Sequence, residues 1–124
     1  MTHMATIDDV RDLGSSLERS YEVLVRDRIK FRVGAIVYVA FSRDERVMGF
    51  GFPKVERDAL IASEPEKFLR PGPSDLRFNW VLGQLDAIPA DEARELVVDA
   101  WRMVVPKKVW RAYDLLHPHG PNDP

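Results

Sequence analysis

Residues 29–52 constrain the fold of this chain more than any other stretch. They contain three apolar runs, rich in β-branched and aromatic side chains, which are separated by Gly34 and by the charged turn Arg43-Asp44-Glu45. Short runs of this composition, bounded by turns, are typical of an antiparallel meander. We therefore expect a small antiparallel sheet, with the remaining segments packed against it.

The alternation of side chains within the meander predicts two different sheet faces. Ile29, Phe31 and Val33 share one parity, while Lys30 and Arg32 share the other. The strand that follows is apolar on both faces. This indicates either that both faces of the strand are buried or that one apolar face is exposed as a binding surface.

Two glycines in the next strand carry a further prediction. Gly49 and Gly51 lie on one face, opposite Met48, Phe50 and Phe52 on the other. A strand face without side chains indicates that a helix or another backbone approaches closely there.

The composition is that of one globular domain, predicted to span residues 1–124 with an ordered core of about 6–116 and a flexible tail at 117–124. Of the 124 residues, 45% are hydrophobic and 31% are charged, and there is no cysteine. The start shows neither a basic nor an apolar signal region, and no apolar run approaches the roughly 18 residues that cross a membrane. We expect a cytoplasmic protein that does not bind membranes.

Helical spacing of apolar residues predicts the other elements. The richest stripe contains Leu96, Val97, Ala100 and Trp101, and Trp101 is expected at the centre of the core. Inward positions of a second helix are expected at Val55, Ala59 and Ala62. The predicted helices are 7–17, 54–63, 90–105 and a last short one at 109–116. The predicted strands are 22–25, 29–33, 35–42, 46–52 and 77–85.

This order predicts an α+β fold. We expect a single antiparallel sheet of four to five strands with two or three helices packed on one face, in the order α-β-β-β(-β)-α-β-α.

Three segments resemble the MmcQ/YjbR-like proteins of bacteria. The first is Lys-Phe-Arg-Val-Gly at 30–34 with the apolar strand behind it. The second is Phe-Pro-Lys-Val-Glu-Arg-Asp-Ala-Leu at 52–60, and the third is Asn-Trp-Val at 79–81 with the helix and Pro-Lys-Lys at 106–108. The resemblance implies a frataxin-like or secretion-chaperone-like α+β fold.

For function, the resemblance implies little. The family is largely uncharacterised, and it offers no catalytic or cofactor residues to carry over to this sequence. Some members are labelled DNA-binding because their sheet is similar to a phage double-wing domain. The resemblance therefore makes DNA one candidate partner.

The residues themselves offer one candidate binding surface, a sheet face that mixes cations with aromatic rings. Cations neutralise phosphates, and flat rings stack on bases. The same residues also fit a solvated face above an aromatic core. Phe50, Arg77 and Trp80 are possible additions to the face. The candidate nucleic-acid residues are Arg26, Arg28, Lys30, Arg32, Tyr38, Arg46, Lys107 and Lys108.

Lys107 and Lys108 belong to a second basic cluster with Arg102 and Arg111. Placed at the C-terminus of the preceding helix, they would complement its dipole. A solvated helix end is therefore the simpler interpretation of this cluster, and a phosphate site is the alternative.

A protein partner or self-association is the alternative function. The second apolar face of the central strand, formed by Ile36, Tyr38, Ala40 and Phe50, would then be the contact surface. The net charge of −2 adds no general attraction to nucleic acid, so any binding of nucleic acid must come from a local patch.

We expect no enzyme, no cofactor and no metal site. With no cysteine, and with all three histidines near the termini, a nucleophile has no plausible base. His117 and His119 lie in the predicted tail. The acids of the first helix, Asp8, Asp9 and Asp12, suit capping as well as they suit a metal.

Overall fold

The computed structural model describes residues 3–118, which form one antiparallel sheet with four helices. The strand order is β1-β2-β3-β4-β6-β5. The strands are β1 Ser20–Val25, β2 Arg28–Val33, β3 Ile36–Phe41, β4 Val47–Gly51, β5 Phe68–Leu69 and β6 Trp80–Gln84. The helices are α1 Ile7–Ser16, α2 Lys54–Ser63, α3 Ala90–Arg102 and α4 Lys107–Leu116.

The α+β class is confirmed, but the element count is higher than expected. The sheet has six strands rather than four or five, and there are four helices rather than two or three. The additional strand is β5, only two residues long, which pairs Phe68 with Gly83 and Leu69 with Leu82. Such a short run carries no sequence periodicity of its own.

One row of cross-strand partners shows how the core is built. Phe31, Val39, Phe50 and Val81 face one another across β2, β3, β4 and β6, and each is 0% exposed. Paired residues share a face of the sheet, so this row defines the covered face. Helix α3 contacts β3 and β4, and α1 packs between α3 and β1.

Trp101 lies at the centre of this core, as expected. Its side chain is 0% exposed, its indole N–H donates to the carbonyl of Glu18 at 3.0 Å, and its ring meets Tyr113 of α4 edge to face. The buried indole has its hydrogen-bond partner, so it adds apolar burial without an unpaired polar group.

Helix α1 begins where the sequence indicates. The carboxylate of Asp9 accepts hydrogen bonds from the backbone N–H and the hydroxyl of Thr6, at 2.9 and 3.1 Å. An acid in the first turn also complements the helix dipole. Asp9 additionally pairs with Arg94 at 2.9 Å, which ties the start of α1 to α3.

Helix α2 has the expected bounds, but its inward residues differ from the prediction. Val55 is 88% exposed and Ala59 and Ala62 are exposed, whereas Arg57 is only 6% exposed. Leu60 and Ile61 pack against the core. The inward stripe lies about half a turn away from the predicted one, because α2 is held by the hydrogen bonds of Arg57 as well as by apolar contact.

The C-terminal region differs from the prediction at both helices, and α3 ends at Arg102 rather than at residue 105. Pro106 precedes α4, and Lys107 and Lys108 are its first two residues rather than the end of α3. In residues 3–118 no helix combines the length and the apolar character that crossing a membrane demands. Of the predicted tail, 119–124 lies outside the described residues.

Candidate functional site

A groove of about 680 Å³ lies on the face of the sheet opposite the covered face. We call this the open face. Lys30, Ala40, Gly49 and Leu82 are successive cross-strand partners in β2, β3, β4 and β6, and all four line the groove. The other lining residues are Arg28, Ile36, Val37, Tyr38, Phe41, Ser42, Val47, Gly51, Asp75, Phe78, Asn79, Trp80, Ala100, Met103 and Val104.

The groove forms where β3 and β4 separate. Although β3 begins at Ile36, it pairs with β4 only over 39–41 against 48–50. Helix α3 reaches this gap, because the Cβ of Ala100 lies 3.5 Å from the position that a Cβ on Gly51 would occupy. The expected close approach of a helix to these glycines is therefore found at Gly51.

A β-bulge explains the separation and corrects the placement of Tyr38. Arg32 pairs with Val37 instead of Tyr38, so one extra residue interrupts the alternation of β3. Tyr38 is 1% exposed, and its hydroxyl is hydrogen-bonded to Ser20 Oγ at 2.5 Å. Burial raises the pKa of Tyr38, although the bond to Ser20 opposes this shift. Tyr38 therefore borders the groove that Arg28 and Lys30 line, but its ring is buried, so the expectation of an exposed ring beside the cations is wrong.

Arg28 and Lys30 stand together at one end of the groove. They alternate on β2, and both side chains line the groove beside Ser42 and Val47. Of the predicted cations, these are the two that the structure places at this cavity. The groove also contains one acid, Asp75, at its opposite end.

Arg26 lies at the tip of the β1–β2 hairpin, outside the groove. Arg26 and Asp27 have positive φ angles of 52° and 65°, as the central residues of a tight two-residue hairpin turn do. The Nε of Arg43 donates to the carbonyl of Arg26 at 3.4 Å, so this tip lies beside the β3–β4 turn.

Carboxylates offset the cations at these two tips. Asp44 accepts from the hydroxyl of Ser42 at 2.7 Å and from the backbone N–H of Arg46 at 3.1 Å. These bonds lower the pKa of Asp44, which stays ionised at neutral pH. Since Asp27 and Glu45 lie in the same turns, Arg26 and Arg46 add little net charge there.

Aromatic side chains form the other end of the groove. A Cβ built on Gly49 would lie only 2.6 to 2.8 Å from three atoms of the Trp80 indole, so the ring occupies the space that a side chain at 49 would need. Trp80 is partly exposed, and Phe78 is 50% exposed. The guanidinium of Arg77 lies 4.7 Å from the Phe78 ring centroid, within cation–π range.

Arg57 of α2 holds the main chain at this aromatic end. Its guanidinium donates to the carbonyls of Leu76, Phe78 and Trp80 at 2.8, 3.1 and 3.0 Å. Sequence reasoning missed this residue, because one arginine in an amphipathic helix gives no signal that separates it from a solvated cation.

Three predicted cations lie away from the groove. Arg32 is half-buried, pairs across the sheet with Tyr21, and its Nε is buried without a hydrogen-bond partner among residues 3–118. Lys107 and Lys108 are exposed at the start of α4, where the helix dipole disfavours cations. The expected match of these lysines to a helix C-terminus is wrong, because a new helix begins at Lys107.

The apolar surface expected to contact a protein partner also consists of different residues in the structure. Tyr38 and Phe50 are 1% and 0% exposed on the covered side. Ile36 and Ala40 do line the groove, and the exposed Phe78 and Met103 accompany them there. The exposed apolar side chains at the groove therefore differ from those predicted, and other exposed apolar residues, such as Leu24 and Val55, lie outside it.

Of the acids of α1 that were considered as metal ligands, Asp9 is already paired with Thr6, His3 and Arg94. Burial raises the pKa of Asp9, but hydrogen bonds with Thr6 and His3 outweigh this and lower it. Within residues 3–118, His, Asp and Glu form no group of three arranged to hold a metal ion. His117 stacks on Tyr113 with ring centroids 4.1 Å apart, while His119 lies outside the described residues.

The sequence also identifies the protein family of this chain. A family model named YjbR matches residues 9–103, which is most of the chain. The chain belongs to the YjbR family. A search of curated proteins finds no match.

A solved structure shows the same fold. It is the crystal structure of Deinococcus radiodurans protein DR2400, a DUF419 domain, with a TM-score of 0.72 and 20% sequence identity. The likeness covers 91% of this chain and 88% of that one. At this identity the likeness supports the fold alone, and the groove has to be interpreted from its own residues.

Proposed function

We propose that this YjbR-family protein is a non-enzymatic nucleic-acid-binding module that uses the groove of the open face. The observation that carries the proposal is the arrangement of that groove, in which Arg28 and Lys30 occupy one end and Phe78 and Trp80 the other. Cations neutralise phosphates, and aromatic rings stack on bases. One cavity therefore offers a matching surface to both the phosphate and the base of a nucleotide.

The distance across the groove suits such a ligand. Lys30 and Gly49 are separated by one strand, so their backbones lie about 10 Å apart. Trp80 covers Gly49, and Lys30 lines the same groove on the far side of β3. One strand of nucleic acid laid over the groove would meet both residues.

The charge distribution predicts modest affinity with a defined salt dependence. The chain has a net charge of −2, so attraction arises only locally, from Arg28, Lys30 and Arg77. Each phosphate neutralised on a single strand contributes a slope of about −0.7 to log K against log salt, which predicts a slope of about −2 for three contacts.

Fluorescence anisotropy with a labelled oligonucleotide tests the proposal at several salt concentrations. Lys30→Glu should weaken binding at low salt by tenfold or more and should flatten the salt dependence. Lys108→Glu makes the same charge change on an exposed residue outside the groove, and it should leave affinity within about twofold of the parent. Equal losses in the two variants would reject the groove as the site.

One observation favours a second candidate, the binding of an apolar protein segment or of another copy of this chain. Ile36, Phe78 and Met103 are 54%, 50% and 44% exposed around the groove. Exposed apolar side chains grouped in a cavity are typical of interaction sites. Sedimentation velocity at high concentration tests self-association. A dimer that Met103→Glu dissociates would support this candidate, and a monomer would count against it.

A further inference from the structure

We propose that the aromatic end of the groove is a stacking site for unpaired bases, so that the module selects single strands over duplexes. This inference rests on the proposed function and specifies its ligand. The charged residues alone would not distinguish the two, because both kinds of nucleic acid present phosphates.

Trp80 and Phe78 are both accessible to a ligand, and Trp80 is also held in place by packing. The Trp80 indole lies against the bare backbone of Gly49, and both aromatic side chains line the groove while remaining partly exposed. Within residues 3–118 the Trp80 indole N–H donates to no protein acceptor, unlike that of the buried Trp101. The Nε1 of Trp80 is among the ring atoms that lie over Gly49, so the indole is anchored by packing on the strand rather than by a hydrogen bond.

The main chain that carries these rings is held on both sides. Arg57 donates to the carbonyls of Phe78 and Trp80. Between them, Asn79 accepts from the backbone N–H of Lys54 through its side chain at 3.0 Å, and from the N–H of Phe52 through its carbonyl at 3.1 Å. A wall that is ordered before binding costs less conformational entropy when a ligand stacks on it.

The shape of the groove accounts for the selectivity. The stacking surface lies in a cavity bounded by strands and by the end of α3. A base must leave its own stack to reach such a surface, which an unpaired strand allows at little cost and a duplex does not. A duplex would meet only Arg28 and Lys30 through its phosphates.

The test compares three probes of about a dozen nucleotides, within the site sizes of single-strand binders. They are a mixed-sequence DNA strand, an abasic strand of the same length, and the corresponding duplex. By anisotropy at low salt, the intact strand should bind at least tenfold more tightly than either of the others. Trp80→Ala should abolish that preference and leave the weaker phosphate binding, while Trp80→Phe should keep most of it.

Two controls separate stacking from general damage. Tyr21→Ala removes another exposed ring of the same sheet, outside the groove, and should keep the preference for the intact strand. In NMR spectra of the parent, the Trp80 indole N–H signal should shift when the strand is added, while that of the buried Trp101 should not.

The outcomes distinguish this inference from the proposed function. Equal binding of the intact and abasic strands would overturn the stacking site and leave a phosphate-binding module. Tighter binding of the duplex would do the same. If no probe binds at low salt, the proposed function fails, and the stacking site fails with it.

Discussion

The two faces of the sheet are made from the same four strands but have opposite properties. The row Phe31-Val39-Phe50-Val81 is completely buried under helices. One residue along each strand, the row Lys30-Ala40-Gly49-Leu82 lines an open groove. Because side chains alternate along a strand, one sheet can carry a core on one side and a binding surface on the other.

The difference also lies in what holds each face in place. Apolar packing stabilises the covered face, where few polar atoms are present. The aromatic wall of the open face relies on hydrogen bonds from Arg57, a cation that lies among main-chain carbonyls rather than beside a carboxylate. Stability should therefore depend mainly on the covered face, and ligand binding on the open one.

The largest effect is expected from Trp101→Ala on the covered face. Removing a fully buried indole leaves a cavity and frees the carbonyl of Glu18, so unfolding should require about 3–5 kcal/mol less free energy. Urea denaturation measures the change. Phe78→Ala, a truncation on the open face, is the matched control and should cost less than about 1 kcal/mol. Similar losses for both variants would contradict the division between the faces.

Arg57→Met should give the next largest effect. The variant keeps an unbranched apolar stem but leaves three carbonyls of residues 76–80 without their donor, at a cost of about 2 kcal/mol. In NMR spectra, the Trp80 indole signal should move while that of Trp101 stays. Arg70→Met, at an exposed arginine, is the control. An unmoved Trp80 signal would show that Arg57 does not hold the wall.

Gly14→Ala and Gly49→Ala make the same change on the two faces. A Cβ at Gly14 would lie 2.7 to 2.8 Å from the ring of Phe31, which is buried and cannot move away. A Cβ at Gly49 meets Trp80 as closely, but Trp80 is partly exposed and can shift into the groove. We expect a loss of about 1–2 kcal/mol for Gly14→Ala and a smaller one for Gly49→Ala, measured by thermal denaturation. The reverse order would mean that the open face is the more tightly packed.

The smallest effect is expected from Tyr38→Phe, which removes the hydrogen bond to Ser20 at about 1 kcal/mol. Because burial raises the pKa of Tyr38, the folded state favours the protonated hydroxyl. That contribution is fully present below the unfolded pKa of about 10, and it is lost as pH rises through the folded pKa. Above about pH 10 the parent should therefore lose stability faster than the variant, as urea midpoints measured against pH would show. Parallel pH profiles would contradict the burial of this hydroxyl.

Much of the fold follows from local patterns. The capped start of α1, the bounds of α2 and the burial of Trp101 were all predicted, because capping residues, prolines and helical periodicity are properties of neighbouring residues. The assignment to the YjbR family was also predicted from short segments and is confirmed by the family model. The parity of β2 correctly separated Phe31 from Lys30.

The errors have a different origin. Strict alternation predicts Tyr38 as an exposed ring on the cationic face, but a bulge interrupts that alternation and the ring is buried. Val55 was expected inside α2, although Arg57 is the buried residue there. The bulge is a matter of strand register within the β2–β3 hairpin, which side-chain alternation does not report. Arg57 gives no local signal because the carbonyls that it binds belong to a distant segment, residues 76–80.

By itself, the sequence determined the fold class, most element bounds and the two-sided character of the sheet, since each depends on the spacing of residues along the chain. Only the tertiary structure decided which cations meet which aromatic rings. The groove joins β2, β3, β4, β6 with the segment before it, and the end of α3. Arg28 and Trp80 come together there because strand register and the gap between β3 and β4 place them, and register is a property of paired strands rather than of either strand alone.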